Sequence, residues 1–289
     1  MTIELQNISK RFGHVKALDK VNLRFGGQKI YGLLGNNGAG KSTMFNIITS
    51  RLTASSGEIM LEGHPMFDND AALNQIYMAG EKNYYPETMR VNEALRWAAK
   101  FYTNFDSMIA AKLAERFKLP LNKKIAALST GYNTIFKVVV ALSTNAPVLL
   151  LDEPVLGMDA GHRDMFYRIL MERYNENPCT IVISTHIIAE VAGLIEHCII
   201  IKDGRIIKDA PCEELLHNGY TVSGPAALLD NYIQGKNILS VSSLGGLKTV
   251  CISGPIPNLN DLPVGLELSK LNLQDYFIQL MNDETEVRL

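Results

Sequence analysis

A chain of 289 residues, 47% of them apolar, is long enough for one large domain and a small one. A net charge of −2 excludes the bulk attraction of a polyanion binder, and the four cysteines (Cys179, Cys198, Cys212, Cys251) lack metal-type spacing and read as reduced, packed thiols of a cytosolic protein. Met1-Thr2-Ile3-Glu4 lacks the basic-then-apolar start of a signal region, and no apolar run reaches bilayer-spanning length, so any membrane role is expected to come through a partner.

Residues 2 to 8 alternate apolar and polar, which predicts a half-buried strand. Arg11-Phe12-Gly13 reads as a turn and Ala17 to Phe25 as a second strand. The ring of Phe12 could stack on a purine base, although a lone phenylalanine in a β-rich segment is more often core. Ile30 to Leu34 predicts a short buried strand, and the glycine-rich loop Gly35-Asn36-Asn37-Gly38-Ala39-Gly40-Lys41-Ser42-Thr43 follows it. Met44, Ile47 and Ile48 then fall at helical spacing.

The loop fits G-x-x-x-x-G-K-[ST], the phosphate-binding pattern. Glycines let successive N–H groups converge on one spot, and the helix start behind them adds partial positive charge for phosphate oxygens. Lys41 is expected to reach the β- and γ-phosphates as a point charge, and Ser42 to offer its hydroxyl to Mg²⁺.

Ser55 to Gly63 reads as turn, strand, turn, and residues 76 to 81 as a short strand. From Arg90 to Leu119 apolar residues at helical spacing predict a helical block set into an α/β framework. Tyr84, Tyr85, Trp97, Phe101 and Tyr102 are expected mostly in the core, with some exposure at Tyr84 and Tyr85 before Pro86. Leu128-Ser129-Thr130-Gly131-Tyr132 leads into an apolar helix from Ile135 to Leu142. Its Ser129 and Gly131 suit either an ordinary helix cap or an anion site.

Val148 to Leu151 predicts a buried strand ending in Asp152 and Glu153. Asp152 suits Mg²⁺, held directly or through water, and Glu153 suits polarising an attacking water. Val155 to Asp159 reads as a turn. Ile181 to Ile183 is a further buried strand, and Ser184-Thr185-His186 brings an imidazole to its C-terminal end, where ligands sit in an open parallel sheet. Cys198 to Lys202 and Arg205 to Lys208 predict a hairpin on an Asp203-Gly204 turn. Composition shifts near Asn218-Gly219. Beyond it Ile238 to Val241, Leu247 to Ile252 and a closing helix, Leu273 to Met281, suggest a small α+β appendix with no recognisable chemistry.

The order of these pieces, from residue 2 to about 216, resembles the ATP-binding subunits of ABC transporters. The phosphate loop matches Walker A, Leu149 to Glu153 matches Walker B with its catalytic glutamate, and Leu128 to Tyr132 resembles the LSGGQ signature. Leu156 to Asp159 resembles the D-loop, His186 falls at the switch histidine, and Phe12 falls at the aromatic of the A-loop. Two departures stand out. Thr130 and Tyr132 replace the usual Gly and Gln of the signature, and the Q-loop glutamine is absent near Met78 to Lys82, where Glu81 takes its place, with Gly80 as the other alignment. The appendix and the altered loop resemble bacterial exporters of peptides and antibiotics, the bacitracin-efflux type among them.

The resemblance implies an α/β P-loop NTPase core over residues 1–218, a helical subdomain at about 82–145, and an accessory domain over 219–289. It implies ATP and Mg²⁺ as ligands, with Lys41, Glu153 and His186 catalytic, and Ser42, Asp152 and Glu81 at the metal. The phosphate loop would bind nucleotide with Phe12, while Ser129, Gly131 and Asp159 would serve the nucleotide of a second, head-to-tail ATP-binding subunit. Integral membrane permease subunits would be the other partners, holding the chain at the cytoplasmic face of the cell membrane, with no nucleic acid expected. A soluble ABC-type ATPase, or a nucleotide-dependent regulatory module of low turnover, is the alternative.

Overall fold

The computed structural model describes residues 1–217, 219–258 and 262–281; Asn218, at the expected domain boundary, lies outside them. The chain divides into two compact units, one of Met1–His186 with Ile201–Ile207, the other of Ile187–Ile200 with the residues from Lys208 onward.

In the first unit β1 (Ile3–Phe12) and β2 (Val15–Phe25) form an antiparallel hairpin. Arg11 and Phe12 belong to β1, paired with Lys16 and Val15, so the turn sits at Gly13-His14, later than the pattern predicts. After β3 (Ile30–Leu34) and α1 (Lys41–Ile48), the strands β4 (Ser56–Leu61) and β5 (His64–Pro65) complete a sheet in the order β2-β1-β4-β5. Its buried residues, among them Ile3, Leu5, Val21, Leu23 and Phe25, alternate along the strands as the period of two requires.

The chain continues through α2 (Asp70–Leu73), β6 (Ile76–Ala79), α3 (Val91–Phe101), α4 (Ser107–Arg116), α5 (Thr130–Ser143), β7 (Val148–Asp152), α6 (Ala160–Glu176) and β8 (Thr180–Thr185). The helical block expected over 90–119 is thus two helices, with Asp106 capping the second through the N–H groups of Met108 and Ile109. The 17-residue α6 was not expected from the sequence. Only Phe166, Ile169 and Leu170 of it are buried, too few to make a periodic signal.

Strands β3, β8, β7 and β6 lie side by side, all parallel, and every residue of them is buried. Their registers pair Leu34 with Thr185, Asp152 with Ser184, and Ala79 with Leu151. Four C-terminal ends therefore meet at one edge. Each Leu or Ile buried there contributes roughly 1.5–3 kcal/mol, which makes that edge a rigid platform.

After α7 (Ile188–Val191), the strands β9 (His197–Lys202) and β10 (Arg205–Pro211) flank the expected turn, where Asp203 and Gly204 both have positive φ. Gly204 donates to the Ala39 carbonyl and accepts from Asp19 N–H, so this turn supports the back of the phosphate loop. Following α8 (Cys212–His217), the second unit holds β11 (Gly219–Pro225), α9 (Ala226–Tyr232), β12 (Asn237–Leu244), β13 (Leu247–Ser253), β14 (Glu267–Lys270) and α10 (Leu273–Met281). The strands run β12-β13-β11-β14 around Tyr220, Val222, Leu229, Val250, Ile252 and Leu266. Compactness thus starts the second unit upstream of the expected boundary. All four cysteines are free thiols, and among the described residues no helix is long and apolar enough to cross a membrane.

Candidate active site

The chemistry suspected from the sequence gathers on the C-terminal edge of the parallel strands. The loop after β3 carries Gly35 to Gly40 into α1. At Gly40 φ is 112°, and a Cβ there would lie 2.6 Å from the Ala17 carbonyl, so only glycine serves. That contact also brings the β1–β2 hairpin, which bears Phe12, alongside the loop. Phe12 is 49% exposed, with the Lys10 ammonium 5.1 Å from its ring centroid, so its ring is open rather than core.

Lys41 is 6% exposed and turns its ammonium back into the loop, donating to the carbonyls of Gly35 at 2.6 Å and Asn36 at 3.2 Å. Burial lowers its pKa, and the carboxylates of Glu153 and Asp152 oppose that shift. A cation held by two neutral carbonyls at the start of a helix is well placed for an anionic ligand. Asn36, Asn37, Gly38 and Ser42 are exposed along the same loop, Ala39 is buried, and Thr43 is half-buried on α1.

Asp152 ends β7 and is buried, and its Oδ1 has no hydrogen-bond partner among the described residues. Its register mate Ser184 has a buried Oγ in the same condition. Two adjacent orphaned oxygens cost about 1–3 kcal/mol each unless something binds them. A hydrated Mg²⁺ fits this donor set, because it keeps several waters and takes few protein ligands. No cluster of three metal-type side chains is present among the described residues.

Glu153 has φ 48°, an uncommon conformation for a residue with a side chain. Its N–H donates to Ser184 O at 2.8 Å, fixing the turn. The carboxylate lies 2.8 Å from His186 Nδ1 through Oε1 and accepts from Thr185 Oγ1 at 3.3 Å through Oε2. Glu81 is exposed, two residues beyond β6, the strand that neighbours β7. Its carbonyl, and that of Gly80, each accept from Lys137 Nζ at 2.8 Å.

The signature-like residues sit elsewhere, against the segment after Glu153. Ser129 caps α5, its Oγ accepting from Tyr132 N–H at 3.3 Å. Gly131 packs so closely that a Cβ would lie 2.4 Å from the Gly157 carbonyl, and Thr134 Oγ1 donates to Leu156 O at 2.8 Å. Asp159 caps α6, accepting from the His162 N–H at 2.9 Å and lying 2.7 Å from His162 Nδ1. The bond from the His162 backbone, then its ring, holds the Asp159 carboxyl below the usual range.

Sequence reasoning missed Ser184, Thr185 and Lys137. The first two stood in view in the run before His186. Lys137, one lysine in an apolar helix, was the only signal for its own contact. The aromatics correct another expectation. Trp97 (45%) and Phe101 (70%) are exposed rather than core, while Tyr84 is exposed as its place before Pro86 suggests, and Trp97 stacks on Phe101 with ring centroids 5.7 Å apart. With Tyr85, Met89 and Arg51 they line a groove beside residues 80–86.

Comparison with known proteins gives a consistent result. Residues 18–156 match the ABC transporter family. The chain is 31% identical over 221 residues to the probable sulfate/thiosulfate import ATP-binding protein CysA of Chlorella vulgaris, covering 74% of this chain and 93% of that one. It is 28% identical over 218 residues to the ABC transporter ATP-binding protein YtrB of Bacillus subtilis, covering 74% of this chain and 73% of that protein. The ribose import ATP-binding protein RbsA of Streptococcus agalactiae is 30% identical, and the match spans 72% of this chain but only 44% of RbsA. A solved structure of the ATP-binding subunit of an ABC transporter superposes with a TM-score of 0.65 at 25% identity, covering 74% of this chain and 92% of that chain.

Proposed function

The chain belongs to the ABC transporter family as an ATP-binding cassette, and from that premise we propose how its residues power transport. It is an ABC-type ATPase that binds ATP and Mg²⁺. The observation that carries the residue assignment is the carboxylate of Glu153. Two neighbouring side chains orient it, one residue past Asp152, whose Oδ1 has no hydrogen bond among the described residues, and on the edge shared with Lys41.

Glu153 takes the proton of the attacking water, and its contacts with His186 and Thr185 fix the direction in which it accepts. His186 then holds the γ-phosphoryl oxygens. Lys41 neutralises the charge that develops on the β–γ bridge, and the loop N–H groups cradle the phosphates. Asp152, Ser42 and Glu81 would hold Mg²⁺, which would supply charge neutralisation to the phosphates when bound. Phe12 stacks on the base.

Ser129 and Gly131 act in trans, on the nucleotide held by a second cassette, and Asp159 lies at the same junction. Closure on ATP and reopening after hydrolysis is the mechanical output. The aromatic groove receives a short helix of an integral membrane permease subunit, which keeps the chain at the cytoplasmic face of the membrane. The domain limits 1–218 and 219–289 belong to the same proposal.

The direction we propose is export, on the altered loop near Glu81 and the C-terminal appendix, with kinship to the bacitracin-efflux type. Import is the competing reading, and similarity to the ribose and sulfate import proteins is the observation in its favour. The test is an ATPase assay of the purified chain with and without the membrane protein that co-purifies with it. ATP-dependent turnover that rises with that protein is expected, and cargo accumulation in reconstituted vesicles fixes the direction. A chain that neither binds nor hydrolyses ATP would overturn the reading.

A further inference from the structure

Three side chains of α5 reach the stretch that leaves β6, and the preceding assignment uses none of them. Lys137 Nζ donates to the carbonyls of Gly80 and Glu81 at 2.8 Å each. One turn earlier Asn133 Oδ1 accepts from Asn83 Nδ2 at 2.9 Å. Between them Phe136 meets Tyr85 edge-on, with centroids 5.3 Å apart. Asn133 and Lys137 are four residues apart, so they stand on one face of the helix.

A half-buried lysine usually runs its stem over apolar surface and leaves its ammonium in water. Lys137 instead gives two of its three donors to consecutive backbone carbonyls. Gly80 follows Ala79, whose register partner on β7 is Leu151, the residue before Asp152. The Lys137 side chain lines the aromatic groove with Tyr84, Tyr85 and Trp97. One cation therefore ties down the backbone that runs on from the strand beside β7 and also forms part of the groove wall.

We infer that Lys137, with Asn133 holding the same stretch at Asn83, is the positioning residue that couples occupancy of the nucleotide edge to the shape of the aromatic groove. This rests on the reading that Asp152 and the phosphate loop take MgATP. Charge brought beside Asp152 alters the field at the Lys137 ammonium. Because that ammonium is tied to Gly80 and Glu81, its response displaces the backbone leading into Tyr84 and Tyr85. The missing glutamine is thus answered by a lysine from another element, and the lysine works through main-chain carbonyls.

The chain contains one tryptophan, Trp97, and it sits in this groove, so its emission reports the groove directly. The experiment titrates the full chain with MgATP while following tryptophan fluorescence, and measures binding separately by calorimetry. The wild type is expected to show a nucleotide-dependent emission shift. Lys137→Met should lose the shift while still binding MgATP, and Lys137→Arg, which keeps the cation, should retain at least part of it. An equal shift in Lys137→Met, or binding without any shift in the wild type, overturns the inference. If calorimetry detects no MgATP binding by the wild type, the nucleotide reading itself fails and takes the inference with it. Should Lys137→Met not fold, Asn133→Ala carries the test: a shift reduced at least about twofold supports the inference, and an unchanged shift overturns it.

Discussion

The carboxylate of Glu153 and Nδ1 of His186 lie 2.8 Å apart although 33 positions separate them in the chain. The pairing follows from the sheet: β7 and β8 are parallel neighbours, in register through Asp152 and Ser184, so the residues just past each strand end meet. A base whose direction is fixed by a second side chain is worth most when one water must be deprotonated at one angle. Glu153→Gln keeps the size and a polar contact to His186 but removes the base. It is expected to lower the rate of phosphate release by roughly 10²–10⁴-fold while MgATP still binds in calorimetry. Near-normal release would remove Glu153 from its role.

Asp152 gives a metal-dependent counterpart. With Oδ1 buried and unpartnered, the apo protein carries a cost that a hydrated cation relieves. Chelation with EDTA should abolish hydrolysis, and added Mg²⁺ should restore it. Asp152→Asn should raise the Mg²⁺ concentration needed for half-maximal rate while keeping the fold, because the charge it removes makes no hydrogen bond through Oδ1 among the described residues and acts on Lys41 only at a distance. An unshifted Mg²⁺ titration would place the cation elsewhere.

Gly131 separates packing from ligand contact. A Cβ there would stand 2.4 Å from the Gly157 backbone carbonyl, which cannot yield as a flexible side chain would. Gly131→Ala should destabilise the fold by about 1–3 kcal/mol, the usual range for overpacking, visible in denaturant titration. A variant of wild-type stability would show that α5 and the segment around Gly157 can part at little cost.

How much of this was legible beforehand depends on the range of each cause. The phosphate loop, the acids after Leu151 and the histidine after Thr185 are local patterns, since strand, turn and helix start are written within a few residues of each other. The Asp203-Gly204 turn was legible for the same reason. Its support of Ala39 was not, since that contact joins distant segments. Lys137 was invisible because its meaning lies in carbonyls 56 and 57 residues away. Trp97 and Phe101 misled because their size argues for burial, while their groove leaves them in solvent. In the second unit, β11 and β14 escaped notice because β11 is made a strand by partners on both sides, at Leu247–Ser253 and Glu267–Lys270.

Ser129 poses the sharpest question, because its hydroxyl already has work within the chain. As the cap of α5 it accepts from Tyr132 N–H, and a cap of this kind stabilises a helix by about 1 kcal/mol. Phosphate contact in trans would use the same helix start, whose free N–H groups and dipole favour an anion. Substitution by alanine confounds the two roles, since it removes both cap and hydroxyl. Ser129→Asp separates them: aspartate caps as well as serine, so stability in denaturant should stay near wild type. Its carboxylate, however, would occupy the helix start with negative charge and repel a phosphate brought there by a second cassette. ATPase rate and ATP-dependent dimerisation should therefore both fall at least tenfold, about 1.4 kcal/mol in each step, with MgATP binding to the chain's own phosphate loop retained. A Ser129→Asp protein that dimerises and turns over normally would leave Ser129 as a helix cap and nothing more.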